Sequence, residues 1–274
     1  MQQLIHLHVL ASGSKGNAAV VEGPQGSVLI DCGMSRKRLL ERADELGFDM
    51  ATVACAVFTH EHSDHVSGAS VFCRRFDGPL YATAGTVAAR SYLSELPFTL
   101  VDDRDAFEAA GMLVRTFPTS HDVADPFGLR FSVVDEDGIE ADAVGWCTDT
   151  GYLTDEALRL LHGCRILGIE SNHDVRMLRE GPYPGYLKAR VGGKTGHLSN
   201  DQCAEALPQL VTEDTETVVA LHLSENNNRP STCIRTLAKA LGAQAANDTF
   251  TEARTPDGML TVCAAGQNKP MSIW

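Results

Sequence analysis

Short apolar runs, separated by turns that contain glycine, proline or aspartate, recur along the chain. Apolar alternation predicts strands at residues 4–10, 18–22 and 27–31, and an unbroken apolar run predicts a buried strand at 53–58. Between 35 and 46, apolar residues return every three or four positions, which predicts an amphipathic helix. Strands that alternate with such helices favour an α/β fold.

The same pattern continues towards the C-terminus. By these criteria we predict strands at 79–83, 111–116, 129–134, 139–147, 165–169 and 216–221, and helices at 66–76, 86–96, from 154, from 199 and at 230–241. We find neither a short-period repeat nor a linker-like change of composition. The pattern therefore predicts a single domain over residues 1–274.

Side chains that can bind metals or transfer protons follow many of the predicted strands. They are Asp31, the stretch Thr59–His65, His121, Asp149, Glu170 and His222. Strand ends from different parts of a sheet converge at one edge, where α/β active sites usually lie. A single member could be structural, for example Asp31 as a cap at a helix entry, but the whole set predicts a functional site.

The stretch Thr59–His65, THEHSDH, carries the strongest chemical signal. His60 and His62 are two residues apart, so an extended backbone points both imidazoles the same way. Asp64 and His65 follow where the chain must turn. One divalent ion could bind His60 and His62, and a second could bind Asp64 and His65. The alternative is a solvated loop that happens to be rich in histidine.

The charge balance limits the partners that the chain can have. Its formal net charge is −13 and its pI is about 5.1, so it cannot coat nucleic acid indiscriminately, which requires a field of lysine and arginine. A nuclease is still compatible with this charge, because bound divalent ions reverse the sign locally.

Cysteine usage and the N-terminal sequence bear on the compartment. The 8 cysteines include no C-x-x-C pair, which is typical of reduced, buried thiols. The first ten residues lack the basic and apolar regions of a signal peptide, and no apolar run is long enough to span a bilayer. We therefore expect a cytoplasmic protein without membrane association; nothing in the sequence identifies a protein partner.

Two segments could contact an anionic substrate. The small-residue loop Ser12–Asn17 could cradle a phosphate or be only a flexible turn. Arg36, Lys37 and Arg38 lie in the first turn of a predicted helix, where the helix dipole disfavours cations, although they could form a solvated face. Our candidate substrate contacts are Ser14, Lys15, Asn17, Arg36, Lys37, Arg38, Lys194 and Ser224.

Together these motifs resemble the metallo-β-lactamase superfamily, and more closely its YycJ/WalJ branch. The segments that carry the resemblance are Ser12–Asn17, Asp31, Thr59–His65, Ser120–Asp122, Asp149–Gly151, Glu170–His173, Gly196–Asn200 and His222–Ser224. The resemblance implies an α/β fold, the four-layer αββα sandwich, in which helices flank two mixed β-sheets and the metals lie at one sheet edge.

The resemblance also implies a cofactor and its ligands. It implies two divalent ions, zinc or manganese. The implied ligands are His60, His62 and His121 for the first ion, Asp64, His65 and His222 for the second, and Asp149 as the bridge between them. Asp31 would brace a ligand histidine by accepting its second ring proton.

The implied activity is that of a binuclear phosphodiesterase acting on nucleic acid. DNA is expected rather than RNA, with 5′→3′ exonuclease action through a metal-bridging hydroxide. Asp64, Glu170 and His197 are the implied catalytic residues, and the Glu170–His197 pair would help protonate the leaving oxygen. His173 has no assigned partner. The alternatives are a hydrolase of small or cyclic phosphodiesters, an ester or thioester hydrolase, and a non-catalytic metal-binding regulatory module.

Overall fold

The computed structural model describes residues 4–274. Its strands are β1 His6–Ala11, β2 Ala18–Gly23, β3 Gly26–Ile30, β4 Val53–Val57, β5 Leu80–Ala82, β6 Phe98–Leu100, β7 Ala106–Ala109, β8 Met112–Pro118, β9 Phe127–Val134, β10 Glu140–Cys147, β11 Ile166–Glu170, β12 Thr217–Leu221, β13 Gln244–Ala245, β14 Glu252–Arg254, β15 Thr261–Ala264 and β16 Met271–Ile273.

Most of the helices are short. They are α1 Arg36–Glu45, α2 Ser63–Val66, α3 Ala69–Cys73, α4 Ala84–Ala88, α5 Ser91–Ser94, α6 Asp155–Leu161, α7 Val175–Glu180, α8 Gly185–Val191, α9 Asn200–Leu210 and α10 Pro230–Leu241, with a 3₁₀ turn at Met50–Thr52. Within residues 4–274, none of these helices has the length and apolar character needed to cross a membrane.

The chain forms two compact units. The first contains the described residues up to Pro118 together with Val123–Val144 and Gln267–Trp274, and the second contains Thr119–Asp122 and Gly145–Gly266. Strand β10 begins in the first unit and ends in the second. The single domain over residues 1–274 stays a prediction, and its residues 1–3 lie outside the described part of the chain.

The first unit contains a mixed sheet whose strands run in the order β16-β1-β2-β3-β4-β5-β6. Strands β1 to β3 are antiparallel neighbours, whereas β3 to β6 are parallel. Because Ile30 at the end of β3 pairs with Val57 at the end of β4, the residues that follow these two strands leave the sheet at the same edge. A buried apolar cluster that includes Leu29, Leu39 and Phe58 supports this edge.

Strands β7, β8 and β9 also belong to the first unit and pair antiparallel. In the second unit, β11, β12 and β15 are parallel neighbours, followed by antiparallel β14 and β13. Glu170 at the end of β11 pairs with Leu221 at the end of β12, so Glu170 and His222 emerge side by side.

Two predicted helices are each divided in the structure. Of the helix expected at 66–76, only residues 69–73 are helical as α3, and Val66 is the last residue of α2. The break includes Gly68, where an added Cβ would lie only 1.7 Å from the Met34 carbonyl oxygen. The helix expected at 86–96 forms α4 and α5, with an extended Arg90 between them whose Nε donates to the Glu61 carbonyl at 3.1 Å. Tertiary contacts therefore override the helical pattern at both places.

Candidate metal centre

The first unit presents the histidine cluster directly after the buried strand β4. His60 is 1% exposed and His65 is fully buried. The His60 ring centroid lies 5.0 Å from that of His62 and 4.0 Å from that of His65. His62 is the N-cap residue of α2, so the chain turns there, and Asp64 falls in the first helical turn. Three imidazoles and one carboxylate are thus gathered by a single short segment.

Asp31 holds this cluster in place. Its Oδ1 accepts from the Thr59 backbone N–H at 2.8 Å, and its Oδ2 accepts from the Thr59 hydroxyl at 2.9 Å. Nδ1 of His65 donates to the same Oδ2 at 2.8 Å. Asp31 is 1% exposed and follows β3 with a φ of 58°, a left-handed conformation that is rare for a residue with a Cβ. The carboxylate therefore fixes the ring orientation of His65, the bracing role implied above for a ligand histidine.

Asn17 joins the small-residue loop to the cluster. Its backbone N–H donates to the Asp64 carbonyl at 2.7 Å, and its side-chain amide lies 2.9 Å from Nε2 of His65. Because Nδ1 of His65 carries its proton towards Asp31, Nε2 has the lone pair, and it accepts from the Asn17 amide. That lone pair is the group a metal ion would require.

The second unit gathers five site residues from separate segments. Ligand atoms of Asp149, Glu170, His197 and His222 all lie within 4.8 Å of one another. Oδ1 of Asp149 is 3.7 Å from Nε2 of His121 and 3.6 Å from Nδ1 of both His197 and His222. Asp149 is therefore the central acid of this group.

Backbone geometry at two strand ends aims these side chains. Asp149 has a φ of 56° and His222 a φ of 55°, both in the left-handed region that favours glycine. Such conformations cost about 1–3 kcal/mol each and persist where the surrounding structure requires them. His222 follows directly after β12, and one residue, Thr148, separates Asp149 from the end of β10. The strained turns rotate both side chains away from the direction that the strand would give.

Hydrogen bonds also set which ring nitrogens can bind an ion. Nδ1 of His121 donates to the Gly196 carbonyl at 2.9 Å, so its Nε2, which faces Asp149, keeps the lone pair. Nδ1 of His222 lies 3.0 Å from Oε1 of Glu170 and donates to it, so Nε2 of His222 also keeps its lone pair. A protein acceptor on one ring nitrogen and a lone pair on the other is typical of ligand histidines.

Glu170 is a fully buried anchor for two histidines. Its Oε1 lies 2.8 Å from Nδ1 of His197 and 3.0 Å from Nδ1 of His222. Its Oε2 accepts the backbone N–H groups of Thr150 at 2.9 Å and Leu198 at 3.2 Å. Burial alone would raise the pKa of Glu170, but the charge of His197 and the hydrogen bonds from both histidines outweigh it and lower this pKa to about 2. These contacts therefore favour the ionised, hydrogen-bond-accepting form of Glu170.

His197 differs from the other histidines of this group in being partly open. Its side chain is 17% exposed, and its Nδ1 is bound to Glu170. Within residues 4–274, no side chain or backbone group hydrogen-bonds its Nε2. This nitrogen can therefore meet a substrate atom beside the metal-binding group.

Two glycines allow the loop that carries His197 to pack closely. An added Cβ at Gly151 would lie 2.2 Å from the Lys194 carbonyl oxygen, and one at Gly196 would lie 2.2 Å from the Arg190 carbonyl oxygen. The Ser120 hydroxyl donates to the Lys194 carbonyl at 2.8 Å. The backbone around residues 190–196 is thereby fixed against the loop after β8, which holds His121.

The donor set fits a divalent transition metal. It offers imidazole nitrogens and carboxylate oxygens, the ligands that suit zinc and manganese. The thiols are not part of this set: all of the cysteines are buried, as predicted, and are free thiols. Even Cys147, close to Asp149, is unsuited to ionise, because burial, and then the negative charges of Glu170 and Asp149, raises the pKa of its thiol.

Similar proteins agree with this interpretation. A family model described as "Beta-lactamase superfamily domain" matches residues 27–223. "Exodeoxyribonuclease YycJ" of Bacillus anthracis is 33% identical over 231 residues, 82% of this chain and 84% of that protein. The chain belongs to the metallo-β-lactamase superfamily, in its YycJ/WalJ branch.

Two further comparisons agree with this result, a second relative for the branch and a solved structure for the fold alone. "Exodeoxyribonuclease WalJ" of Streptococcus pneumoniae D39 is 32% identical over 80% of this chain and 82% of its own length. The crystal structure of the metallo-β-lactamase fold protein YhfI from Bacillus subtilis matches with a TM-score of 0.66 and 12% identity, over 98% of this chain and 99% of YhfI. The predicted fold class is confirmed, and the YycJ/WalJ-branch chain is a metal-dependent hydrolase.

The structure also places the candidate substrate contacts. Asn17 and Ser224 are buried and bonded inside their units, the Ser224 hydroxyl accepting from the Asn227 N–H at 3.2 Å. Arg36 is partly exposed, and the other candidates are exposed: Ser14, Lys15, Lys37, Arg38 and Lys194. Their roles stay predictions. Sequence reasoning missed Arg42, a buried cation on α1 that only its helical spacing from Arg38 could have indicated.

Proposed function

We propose that this protein is a binuclear metal-dependent phosphodiesterase that degrades DNA as a 5′→3′ exonuclease. Membership of the branch that contains proteins named exodeoxyribonucleases supports DNA as the substrate. The direction of digestion follows only from this resemblance. The observation that carries the proposal is the His197–Glu170 pair beside Asp149.

We propose the ligand set that the family resemblance implies. Its members are His60, His62 and His121 for one ion, Asp64, His65 and His222 for the other, and Asp149 shared between them. When bound, two divalent ions supply Lewis acidity towards a phosphoryl oxygen and an activated water. Asp31 and Glu170 support this set by orienting His65 and His222 through their second ring nitrogens.

The His197–Glu170 pair suits a nucleic-acid substrate. Cleavage of a phosphodiester in DNA expels a sugar alkoxide, which leaves poorly unless it receives a proton. Nε2 of His197 can deliver that proton, because Nδ1 is held by the ionised Glu170 and the ring is partly exposed. Glu170 keeps the ring in position through the contact between its Oε1 and Nδ1 of His197. An enzyme for esters with stable leaving groups would not need this pair.

Charge also fits the proposal locally. The chain carries a net charge of −13, which repels a polyanion on average. A ligand set of neutral imidazoles and only two carboxylates leaves a pair of divalent ions with net positive charge. Attraction for a phosphodiester is therefore restricted to the metal centre and to local basic groups.

A substrate panel tests this function. Protein loaded with Mn²⁺ or Zn²⁺ is assayed on labelled single-stranded and duplex DNA, RNA, a cyclic phosphate and a thioester. We expect DNA to be shortened from its 5′ end, with the highest kcat/KM in the panel. Preferential turnover of the cyclic phosphate would instead identify a small-phosphodiester hydrolase, and preferential turnover of the thioester a thioester hydrolase. Loss of all turnover in a metal-replete sample would favour a non-catalytic metal-binding module.

A further inference from the structure

A small basic cavity lies in the first unit next to the histidine cluster. Its volume is about 230 Å³, and its lining includes Lys15, Arg38 and Arg42 together with Gln267 and Asn268. All of these residues belong to the same unit. No carboxylate is among the residues that line it. The cavity therefore has the charge of an anion site.

Arg42 is the buried cation of this cavity, with only 7% of its surface exposed. Its Nη1 donates to the carbonyl oxygens of Leu10 at 3.0 Å and Gln267 at 2.9 Å, and its Nη2 donates to Oδ1 of Asn268 at 3.1 Å. These acceptors are neutral, and no carboxylate within residues 4–274 forms an ion pair with Arg42. Its Nε–H and one Nη2–H stay available, since a guanidinium has five N–H groups.

Arg38 adds a second positive charge one helical turn away. Like charges four residues apart on a helix repel each other, and an uncompensated buried charge is costly. Burial first, and then the charge of Arg38, lowers the pKa of Arg42, against a smaller opposite effect of Glu45. A bound anion would offset both costs. Arg38 itself forms no ion pair with any residue in the described range 4–274.

Lys15 links the cavity to the metal ligands. Its backbone N–H donates to Oε1 of Gln267 at 2.8 Å, and Nε2 of Gln267 donates to the Gly16 carbonyl at 3.0 Å. Two residues after Lys15, the Asn17 amide reaches Nε2 of His65 at 2.9 Å. Two residues of chain span at most about 7 Å, so the cavity lies close to the cluster.

We propose that this cavity binds a phosphate group of the nucleic-acid strand, adjacent to the phosphodiester that is cleaved. Arg42 would offer its planar N–H fork, and Arg38 and Lys15 would add charge, a combination that matches phosphate. The phosphate is either a terminal monoester, which would make the site specific for strand ends, or an internal diester. This inference rests on the proposed function and deepens it by assigning the contacts of a second phosphate.

Binding without turnover tests the cavity directly. A 3′-labelled oligonucleotide with phosphorothioate linkages that resist hydrolysis is titrated with metal-loaded protein, once with a 5′-phosphate and once with a 5′-hydroxyl. The variants are Arg38→Gln and Lys15→Gln. The matched control is Arg74→Gln, an exposed cation of the same unit that lies outside the cavity and whose Nη2 is 3.6 Å from Oε2 of Glu95. We expect each cavity variant to weaken binding about tenfold, as for a lost charged hydrogen bond, and the control to change it less than about twofold.

The two sources of phosphate give different results. A wild-type preference for the 5′-phosphate that both cavity variants abolish identifies the terminal monoester. Equal binding of both ends, with weaker and less salt-dependent binding in both variants, identifies an internal phosphate. If both cavity variants bind both strands as tightly as Arg74→Gln does, the inference is overturned. Cleavage of unmodified DNA is measured in parallel, so a protein that binds through the cavity but cleaves no DNA would refute the proposed function and not the phosphate site.

Discussion

The candidate metal-binding residues of the two units are assembled in contrasting ways. In the first unit, His60, His62, Asp64 and His65 come from one continuous segment after β4. In the second unit, the site residues lie close together in space but come from segments that are far apart in sequence. A contiguous cluster can be recognised from the sequence alone. A dispersed cluster depends on the sheet to bring strand ends together.

The two regions share one backbone feature, however. Asp31 in the first unit and Asp149 and His222 in the second all adopt a left-handed conformation just after a strand, with φ values of 58°, 56° and 55°. Each region also contains a buried carboxylate that orients a histidine of the proposed ligand set, Asp31 in the first and Glu170 in the second. The two carboxylates differ in how many histidines they orient, because Asp31 contacts one whereas Glu170 contacts two. Removing this buried carboxylate should therefore disturb more histidines in the second unit than in the first.

The largest effect is expected for Asp149→Ala. Asp149 lies within 3.7 Å of three histidines and is the proposed bridge, so its loss should weaken both metal sites. We expect metal affinity to fall by more than about 100-fold and DNA cleavage to fall with it. Elemental analysis and kcat/KM are the measurements, and the exposed Asp214→Ala is the control. A protein that holds one ion or fewer, with the content unchanged in Asp149→Ala, would rule out the binuclear centre.

The next effect in size is expected for His197→Ala, tested on two leaving groups. Loss of a positioned acid should lower DNA cleavage about 10²- to 10⁴-fold. Cleavage of bis-p-nitrophenyl phosphate should be largely spared, because p-nitrophenolate departs without a proton, and both metals should be retained. Exposed His162→Ala is the matched control. Equal losses on the two substrates, or loss of metal, would make His197 a ligand or a structural residue.

Asp31→Asn tests how much the contact between Asp31 and His65 contributes to metal binding. Removing the charge that orients His65 should reduce metal affinity about 10- to 100-fold while leaving the ligands themselves in place. Metal competition titrations report the change, and Asp44→Asn on exposed α1 surface is the control. If the variant binds metal as wild type does, Asp31 only supports the turn at Thr59.

The smallest effect, on stability, is expected for Gly151→Ala. The added methyl group would meet the Lys194 carbonyl and should destabilise the protein by about 1–3 kcal/mol. Gly185→Ala in α8 meets nothing within 4 Å and should stay within about 1 kcal/mol of wild type. Denaturant unfolding compares the two. Equal stability of both variants would show that the loop before His197 can move aside.

The sequence predicted the parts of the site that depend on local pattern. The apolar runs located ten of the strands but not the short strands β6, β7 and β13 to β16. Asp31, Asp149, Glu170 and His222 lie at or just after strand ends, as predicted. The resemblance supplied the fold class, which spacing alone could not. What escaped prediction depends on contacts between distant segments: the helix break at Gly68 and the buried Arg42, which bonds to Gln267 near the other end of the chain. No local pattern carries that information.

Metal titration against DNA cleavage tests the central claim most directly. Protein stripped of metal by a chelator is reloaded with measured equivalents of Mn²⁺ or Zn²⁺, and the rate on a labelled DNA strand is recorded at each step. The binuclear phosphodiesterase proposed above predicts that activity rises until two equivalents per chain are bound and is then constant. Full activity at one equivalent, or none at two in a folded protein, would contradict it.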